Sequence, residues 1–241
     1  MFRRILVVAA TALAATVLTT PPVVALPSPG SGVLPDSCAE IHAKRPSWGD
    51  GEYLLGVNFR LVPVYCHDMT GTPREYVSLG SLNFSQYTAG GASPGVSVVT
   101  TFTKVRIHPY SLTVDINDLT FATSEGRVIH GFVAVTTMPY AVAMSCDATP
   151  SGLGRVDLTG TPFVLADMFM LGGFFPQGEA SVSTDNRTAD LIGGGYCGWI
   201  APAPFIYNPI NPYLRDFRLE LACAPFTTLD VLLHRACVNL T

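Results

Sequence analysis

The chain has 241 residues, 18 of them acidic and 14 Lys or Arg, and a formal net charge of −4. Charged residues make up only 13%, about half the usual share, and no basic excess exists to neutralise phosphates, which argues against nucleic acid as a partner. Hydrophobic residues reach 48% while Gly and Pro number 22 and 19, which excludes a disordered or collagen-like chain.

Arg3 and Arg4 precede an uncharged apolar run from Ile5 to Leu18, and Val23-Val24-Ala25 places small residues where a signal peptidase reads. That run of 14 is short for a membrane span, so residues 1–25 are expected to be a secretory signal peptide cleaved after Ala25; a retained anchor is the competing reading. Cleavage removes two arginines and takes the formal charge from −4 to −6. No membrane span is expected after it, and the product is expected outside the cell. Residues 26–36 are rich in Pro, Ser and Gly and read as a flexible lead-in.

Ser37-Cys38-Ala39-Glu40 matches a capping box, so a short helix is expected from Ser37 to before Pro46. The period then shifts toward two. Short strands are expected at Glu52–Val57, Arg60–Tyr65 and Glu75–Leu79, followed by a longer alternating one at Val96–Ile107. Further strands are expected at 111–116, 120–122, 128–136, 141–146, 155–158, 163–166, 179–183, 190–192 and 217–222. Phe169–Pro176 and Ala201–Tyr213 resist a strand reading; the second reads as a long packed loop. Leu229, Leu232, Leu233 and Cys237 recur at helical spacing after Thr227-Thr228. The expected fold is mainly β: a disulfide-stapled sandwich or barrel-like domain over 37–223, with a short N-terminal helix and a C-terminal helix or tail over 224–241.

All six cysteines follow the expected cleavage point: Cys38, Cys66, Cys146, Cys197, Cys223 and Cys237. An even count behind an export signal implies disulfides, although six cysteines allow about 15 connectivities. Cys223 and Cys237 are 14 apart and flank a helical pattern, which suits a local staple; the pairing of the last four is otherwise open. Cys38 and Cys66 are 28 apart.

One run of residues resembles a known family. Ser37-Cys38-Ala39-Glu40-Ile41 is followed by Asp50-Gly51-Glu52-Tyr53, then Tyr65-Cys66-His67-Asp68-Met69, then Pro73-Arg74-Glu75-Tyr76. That order resembles the GON domain, a C-terminal module of secreted zinc metalloproteases with disintegrin and thrombospondin motifs. The resemblance continues at Asn83-Phe84-Ser85, Phe102–Ile107, Gly154–Thr161 and Gly194–Gly198. The opening is also similar to that of a fibrinogen-like domain, which implies a Cys38–Cys66 pair. As motif residues, Asp50, Gly51, Glu52, Tyr53, Tyr65, Asp68, Met69, Pro73, Glu75 and Tyr76 are expected to be structural. The family's zinc peptidase activity belongs to a separate domain and does not carry over to these residues.

No catalytic or metal-binding constellation emerges, and no cofactor is expected. None of His42, His67, His108, His130 and His234 begins the H-E-x-x-H of a zinc peptidase. Gly91-Ala92-Ser93-Pro94-Gly95 has the letters of a nucleophile elbow, but the residue after the Ser must donate its N–H to an oxyanion, and Pro94 has none. Gly193–Gly198 has the letters of a dinucleotide loop but leads toward Pro202 and Pro204, so a tight turn delivering Cys197 is expected instead. Asp115-Ile116-Asn117-Asp118 lacks the spacing of a calcium loop and reads as a hairpin turn. Asn83, Asn186 and Asn239 head glycosylation sequons. Arginine outnumbers lysine twelve to two, which fits a GC-rich bacterial genome where sequons stay silent. The expected function is non-catalytic binding of an extracellular protein, a glycan or a cell-wall or matrix component; a secreted hydrolase is the alternative.

Overall fold

The computed structural model describes residues 34–148, 150–166, 168–203, 208–210, 218–226 and 236–239. The expected signal peptide and residues 227–235 of the expected C-terminal helix lie outside the described residues; beyond them Val238–Asn239 is strand and not helix.

One helix, α1 (Cys38–Lys44), opens the domain. Ser37 is its N-cap and accepts a hydrogen bond from the Glu40 N–H at 3.2 Å. The reciprocal half of the box reaches one residue further back, where Glu40 accepts from the Asp36 N–H at 2.6 Å. Glu75 accepts from the Cys38 N–H at 2.8 Å, so a carboxylate from the sheet caps the helix N-terminus.

Among the described residues, fourteen strands form one sheet. They are β1 (Gly51–Val57), β2 (Arg60–His67), β3 (Arg74–Thr88), β4 (Gly95–His108), β5 (Thr113–Asp115), β6 (Ala122–His130) and β7 (Val133–Val135). Then come β8 (Ala143–Ser145), β9 (Pro150–Asp157), β10 (Phe163–Leu165), β11 (Phe169–Val182), β12 (Thr188–Pro202), β13 (Arg218–Cys223) and β14 (Val238–Asn239).

The β3–β4 ribbon is the spine. Along β3, the Arg74–Tyr76 end pairs with β2, while Phe84–Thr88 pairs with β9 and β8. Along β4, the Arg106–His108 end pairs with β5, and the Gly95–Phe102 end with β6. The ribbon changes the face it buries partway along. Val98, Thr100 and Phe102 are buried, and then the parity switches to Val105 and Ile107. The switch lies opposite a register shift in β3 between Ser78 and Asn83. A bulge adds local twist and bends the strand. The two halves of the ribbon thereby turn opposite faces to a common core, which gives a sandwich-like domain from one continuous sheet. Leu55, Val62, Val64, Ile107, Ile116 and Met144 lie in that core.

The resistant segment 169–176 belongs to β11, which pairs along its length with β12 at the end of the sheet. Gly193–Gly198 lies inside β12, so it is strand and not the expected tight turn. The expected strand 128–136 is interrupted at Gly131, which takes φ +60° and turns β6 into β7. Disulfides join Cys38 to Cys66, Cys146 to Cys197 and Cys223 to Cys237.

Candidate functional site

One face of the sheet carries a row of polar and aromatic side chains that is exposed at its two ends and covered at its middle. Glu52 pairs with Tyr65, Tyr65 with Tyr76, Tyr76 with Arg106, Arg106 with Asp115, and Asp115 with Arg218. Directly opposed residues share a face, so these six side chains line up across β1, β2, β3, β4, β5 and β13. Five interstrand spacings of ~4.8 Å make the row about 24 Å long. Their neighbours along each strand, Val64, Cys66, Val105, Val114 and Leu219, are buried on the other side. Alternation thus produces the row without any special loop.

The 116–121 segment folds over the middle of the row. Phe121 meets Tyr76, His67 and Tyr65 edge-on at ring separations of 4.9, 4.8 and 6.0 Å. Tyr76 is buried beneath it and donates to Asp118 at 3.2 Å, with the Thr120 hydroxyl also 3.2 Å from its oxygen. Burial pushes the Tyr76 phenol above its ordinary pKa. Asp115 and Asp118 flank Arg106 at 3.6 and 3.8 Å, so the Asp115–Asp118 carboxylates face a guanidinium. Lys104 lies 4.4 Å from the Tyr65 ring centroid and donates to Ser78 at 3.1 Å, while Ser78 donates to Glu52 at 2.7 Å. The same 116–121 segment forms one wall of a cleft of about 330 Å³, closed by Val133, Val135, Pro139 and Ile210.

The other motif residues hold the edge of this face. Asp50 accepts from the Met69 N–H at 2.8 Å and pairs with His67 Nδ1 at 2.7 Å. Burial works against the Asp50 carboxylate, but the Met69 and Asp68 N–H groups and His67 outweigh it and hold its carboxyl below the usual range. Asp68 sits at φ +56° and accepts from the Thr72 N–H at 2.8 Å, which shapes the turn leading through Pro73 to β3. Met69 is fully buried. Gly51 begins β1, and Tyr53 stacks on Trp48 at 5.8 Å while donating to the Gly49 carbonyl. Of the sequence motif, Glu52, Tyr65 and Tyr76 therefore reach the row. Lys104, Arg106, Phe121 and Arg218 complete it with Asp115, which the sequence places only in a hairpin turn. The signal for Lys104 and Arg106 was present in the alternation of β4; nothing in the sequence around Phe121 marks it.

A second polar cluster surrounds Cys146. The Tyr87 hydroxyl hydrogen-bonds to Ser93 Oγ, lies 2.6 Å from His130 Nδ1 and lies 3.2 Å from Cys146 Sγ. Ser93 is fully buried, which removes it from any substrate and makes the G-x-S-x-G letters a structural turn. Gly91 is needed there: it takes φ +52°, and a Cβ on it would lie 2.1 Å from the Cys146 carbonyl oxygen. His67 and His130 occupy different clusters, and His234 lies outside the described residues. Cys66, beside His67, is disulfide-bonded and is no nucleophile. Of the sequons, Asn83 is buried with its amide fully engaged, whereas Asn186 is exposed in the β11–β12 turn.

Among the described residues, no helix is long and apolar enough to cross a membrane. No solved structure matches the chain. It is 27% identical over 200 residues to the human protein "A disintegrin and metalloproteinase with thrombospondin motifs 20", covering 69% of this chain and 10% of that protein. It is 27% identical over 203 residues to "A disintegrin and metalloproteinase with thrombospondin motifs gon-1" of Caenorhabditis elegans, covering 70% of this chain and 9% of that protein. The chain thus spans about a tenth of the length of these relatives. The GON domain pattern matches residues 35–93 and 91–206. The chain belongs to the GON domain family.

Proposed function

We propose that the chain is an extracellular binding module whose open sheet face takes a glycan chain of the matrix or cell wall. The observation that carries this reading is the row Glu52–Tyr65–Tyr76–Arg106–Asp115–Arg218. It is long, with Glu52 and Tyr65 accessible on one side of the 116–121 segment and Arg218 on the other, which suits an extended polymer better than a small molecule. It sets charged hydrogen-bonding groups on both sides of an aromatic pair, and a sugar ring offers hydroxyls at its rim and C–H groups on its faces. Arg74 and Arg218 have no carboxylate within ion-pair distance among the described residues, which leaves their guanidinium groups for a ligand, and Lys104, held over Tyr65 and bonded to Ser78, adds a fixed positive charge between them. Three disulfides and the family's membership in secreted proteases support an exported setting.

The test is a glycan array followed by titration of the best polymer. Tyr65→Ala and Lys104→Ala remove groups from the face without opening the core. Each is expected to weaken binding about tenfold, while the melting temperature moves by less than about 2 °C. The reading fails if extracellular polysaccharides leave the protein unbound, or if both variants bind as the wild type does. Binding only to an extracellular protein would also replace it.

A further inference from the structure

The three disulfides differ in what touches their sulfurs. Cys38 and Cys66 are both fully buried, and among the described residues no donor reaches either sulfur. None reaches the Cys223–Cys237 sulfurs among the described residues either. Cys146 is different: its sulfur lies 3.2 Å from the Tyr87 hydroxyl and 3.6 Å from His130 Nδ1. The pair is also asymmetric, as Cys223–Cys237 is, so the donors at Cys146 are what set it apart. Cys146 is 1% exposed, while Cys197, on β12, is partly exposed.

The proton on the His130 ring is fixed by its neighbours. The Asn208 side-chain oxygen accepts from the Ile210 N–H at 3.0 Å, so the Asn208 NH₂ faces His130 Nε2 at 3.0 Å and donates to it. Nε2 is the acceptor, and Nδ1 carries the hydrogen. That N–H is directed at the Tyr87 oxygen, 2.6 Å away, with Cys146 Sγ next to it. Burial holds the imidazole below its ordinary pKa, so the neutral N–H form persists at neutral pH. Ser93 closes the other side of the Tyr87 hydroxyl. When Ser93 and His130 both donate to the Tyr87 oxygen, the Tyr87 O–H turns to the Cys146 sulfur. The titratable groups around the pair are Tyr87 on β3, His130 on β6, Tyr196 on β12 and Asp147, whose carboxylate lies against Gly90.

We propose that Cys146–Cys197 is an exchangeable disulfide that accepts electrons from an external dithiol, with Cys197 as the attacked sulfur and Cys146 as the leaving thiolate. A thiolate of the dithiol attacks Sγ of Cys197. The Cys146–Cys197 bond breaks, its electron pair leaves on Cys146, and Cys197 joins the donor as a mixed disulfide. The donor's second thiolate then attacks its own bound sulfur, which closes the donor's disulfide and releases Cys197 as a thiolate. Two electrons pass to the protein, and the two protons shed by the donor end on Cys146 and Cys197. Departure is faster the better the leaving thiolate is stabilised. Tyr87 and His130 provide that stabilisation at Cys146, and nothing comparable meets the sulfurs of the other pairs among the described residues.

The test treats the oxidised full chain with limiting dithiothreitol, alkylates at intervals, and maps thiols by mass spectrometry. A parallel sample receives glutathione and is quenched early to catch the mixed disulfide. Cys146–Cys197 is expected to open roughly tenfold faster than Cys38–Cys66, with glutathione on Cys197 and the thiol on Cys146. Loss of one hydrogen bond to the thiolate raises its pKa by about one unit. Tyr87→Phe is therefore expected to slow opening by about three- to tenfold. Ser93→Ala leaves both donors beside Cys146 and is expected to change the rate less than about twofold. The unmutated chain decides the matter even if Tyr87→Phe folds poorly. Glutathione on Cys146, or opening of Cys146–Cys197 no faster than Cys38–Cys66, overturns the proposal.

Discussion

Asn83 is fully buried, and all its amide hydrogen-bonding groups have partners. Its NH₂ donates to the carbonyls of Ser81 and Asp157 at 3.1 and 3.0 Å. Its oxygen accepts from the Asp157 N–H at 2.7 Å and from the Tyr140 hydroxyl at 2.9 Å. The side chain thereby ties β3 to β9 just past the bulge. Asn83→Ala leaves the Tyr140 hydroxyl and the Asp157 N–H buried without a partner. Each orphaned group costs about 1–3 kcal/mol, so a loss of about 4 kcal/mol is expected. At about 2–4 °C per kcal/mol, the melting temperature should fall by about 12 °C. Asn83→Asp sharpens the test. A buried carboxylate there faces two carbonyl oxygens, so the folded state keeps it protonated and its pKa rises above that of the unfolded chain. Stability of this variant relative to the wild type is greatest below about pH 3.9 and falls by up to about 1.4 kcal/mol per unit as pH rises. Urea unfolding at pH 4 and pH 7 reads both effects. A loss below about 1 kcal/mol for Asn83→Ala, or an Asn83→Asp variant whose deficit against the wild type is no larger at pH 7 than at pH 4, would refute this account of the joint.

Three other outcomes are expected. Replacing Cys38 and Cys66 together by Ser removes a 28-residue loop closure and should cost about 3–4 kcal/mol in urea unfolding. His130 has its pKa lowered by burial from 6.5, so its protonation penalises the folded state; stability is intact above pH 6.5 and falls as pH drops below it. His130→Gln should flatten that part of the pH–stability curve, as followed by thermal melts. Gly91→Ala puts a Cβ against the Cys146 carbonyl at φ +52°, and a loss above about 2 kcal/mol is expected in the same melts.

Much of the fold was legible because short alternating runs separated by Gly, Pro and Asn signal strands directly. The helix at Cys38–Lys44 followed from Ser37 and Glu40 for the same local reason. What escaped was long-range. Strict alternation across Val96–Ile107 put Phe102, Lys104 and Arg106 on one side, and that is geometrically right. It could not say that the buried side changes there, because the cause is the bulge in a different strand. The segment 169–176 looked unlike a strand because Gly172 and Gly173 break its pattern. Those glycines pack against the Trp199 ring, where a Cβ would come within 2.6–2.8 Å of it. The candidate face was half legible: Glu52, Tyr65 and Tyr76 stand in the recognisable motif, whereas Arg218 is 166 residues further along the chain than Glu52. Neighbours of that kind leave no trace in local sequence. The cluster at Cys146 was hidden similarly, since Tyr87, His130 and Asn208 meet only in space.

The row across the open face also bears on folding kinetics. Its members are drawn from positions 52 to 218 and come into register only when β1 and β13 have both docked onto the ribbon between them. Non-local pairing of this kind is slow to form, because chain closure is unfavourable until distant contacts reward it. A nascent or proteolysed fragment would present isolated charges and rings, never the aligned set. Recognition through this face would therefore act as its own quality control: the capacity to bind appears in the same cooperative step that completes the sheet.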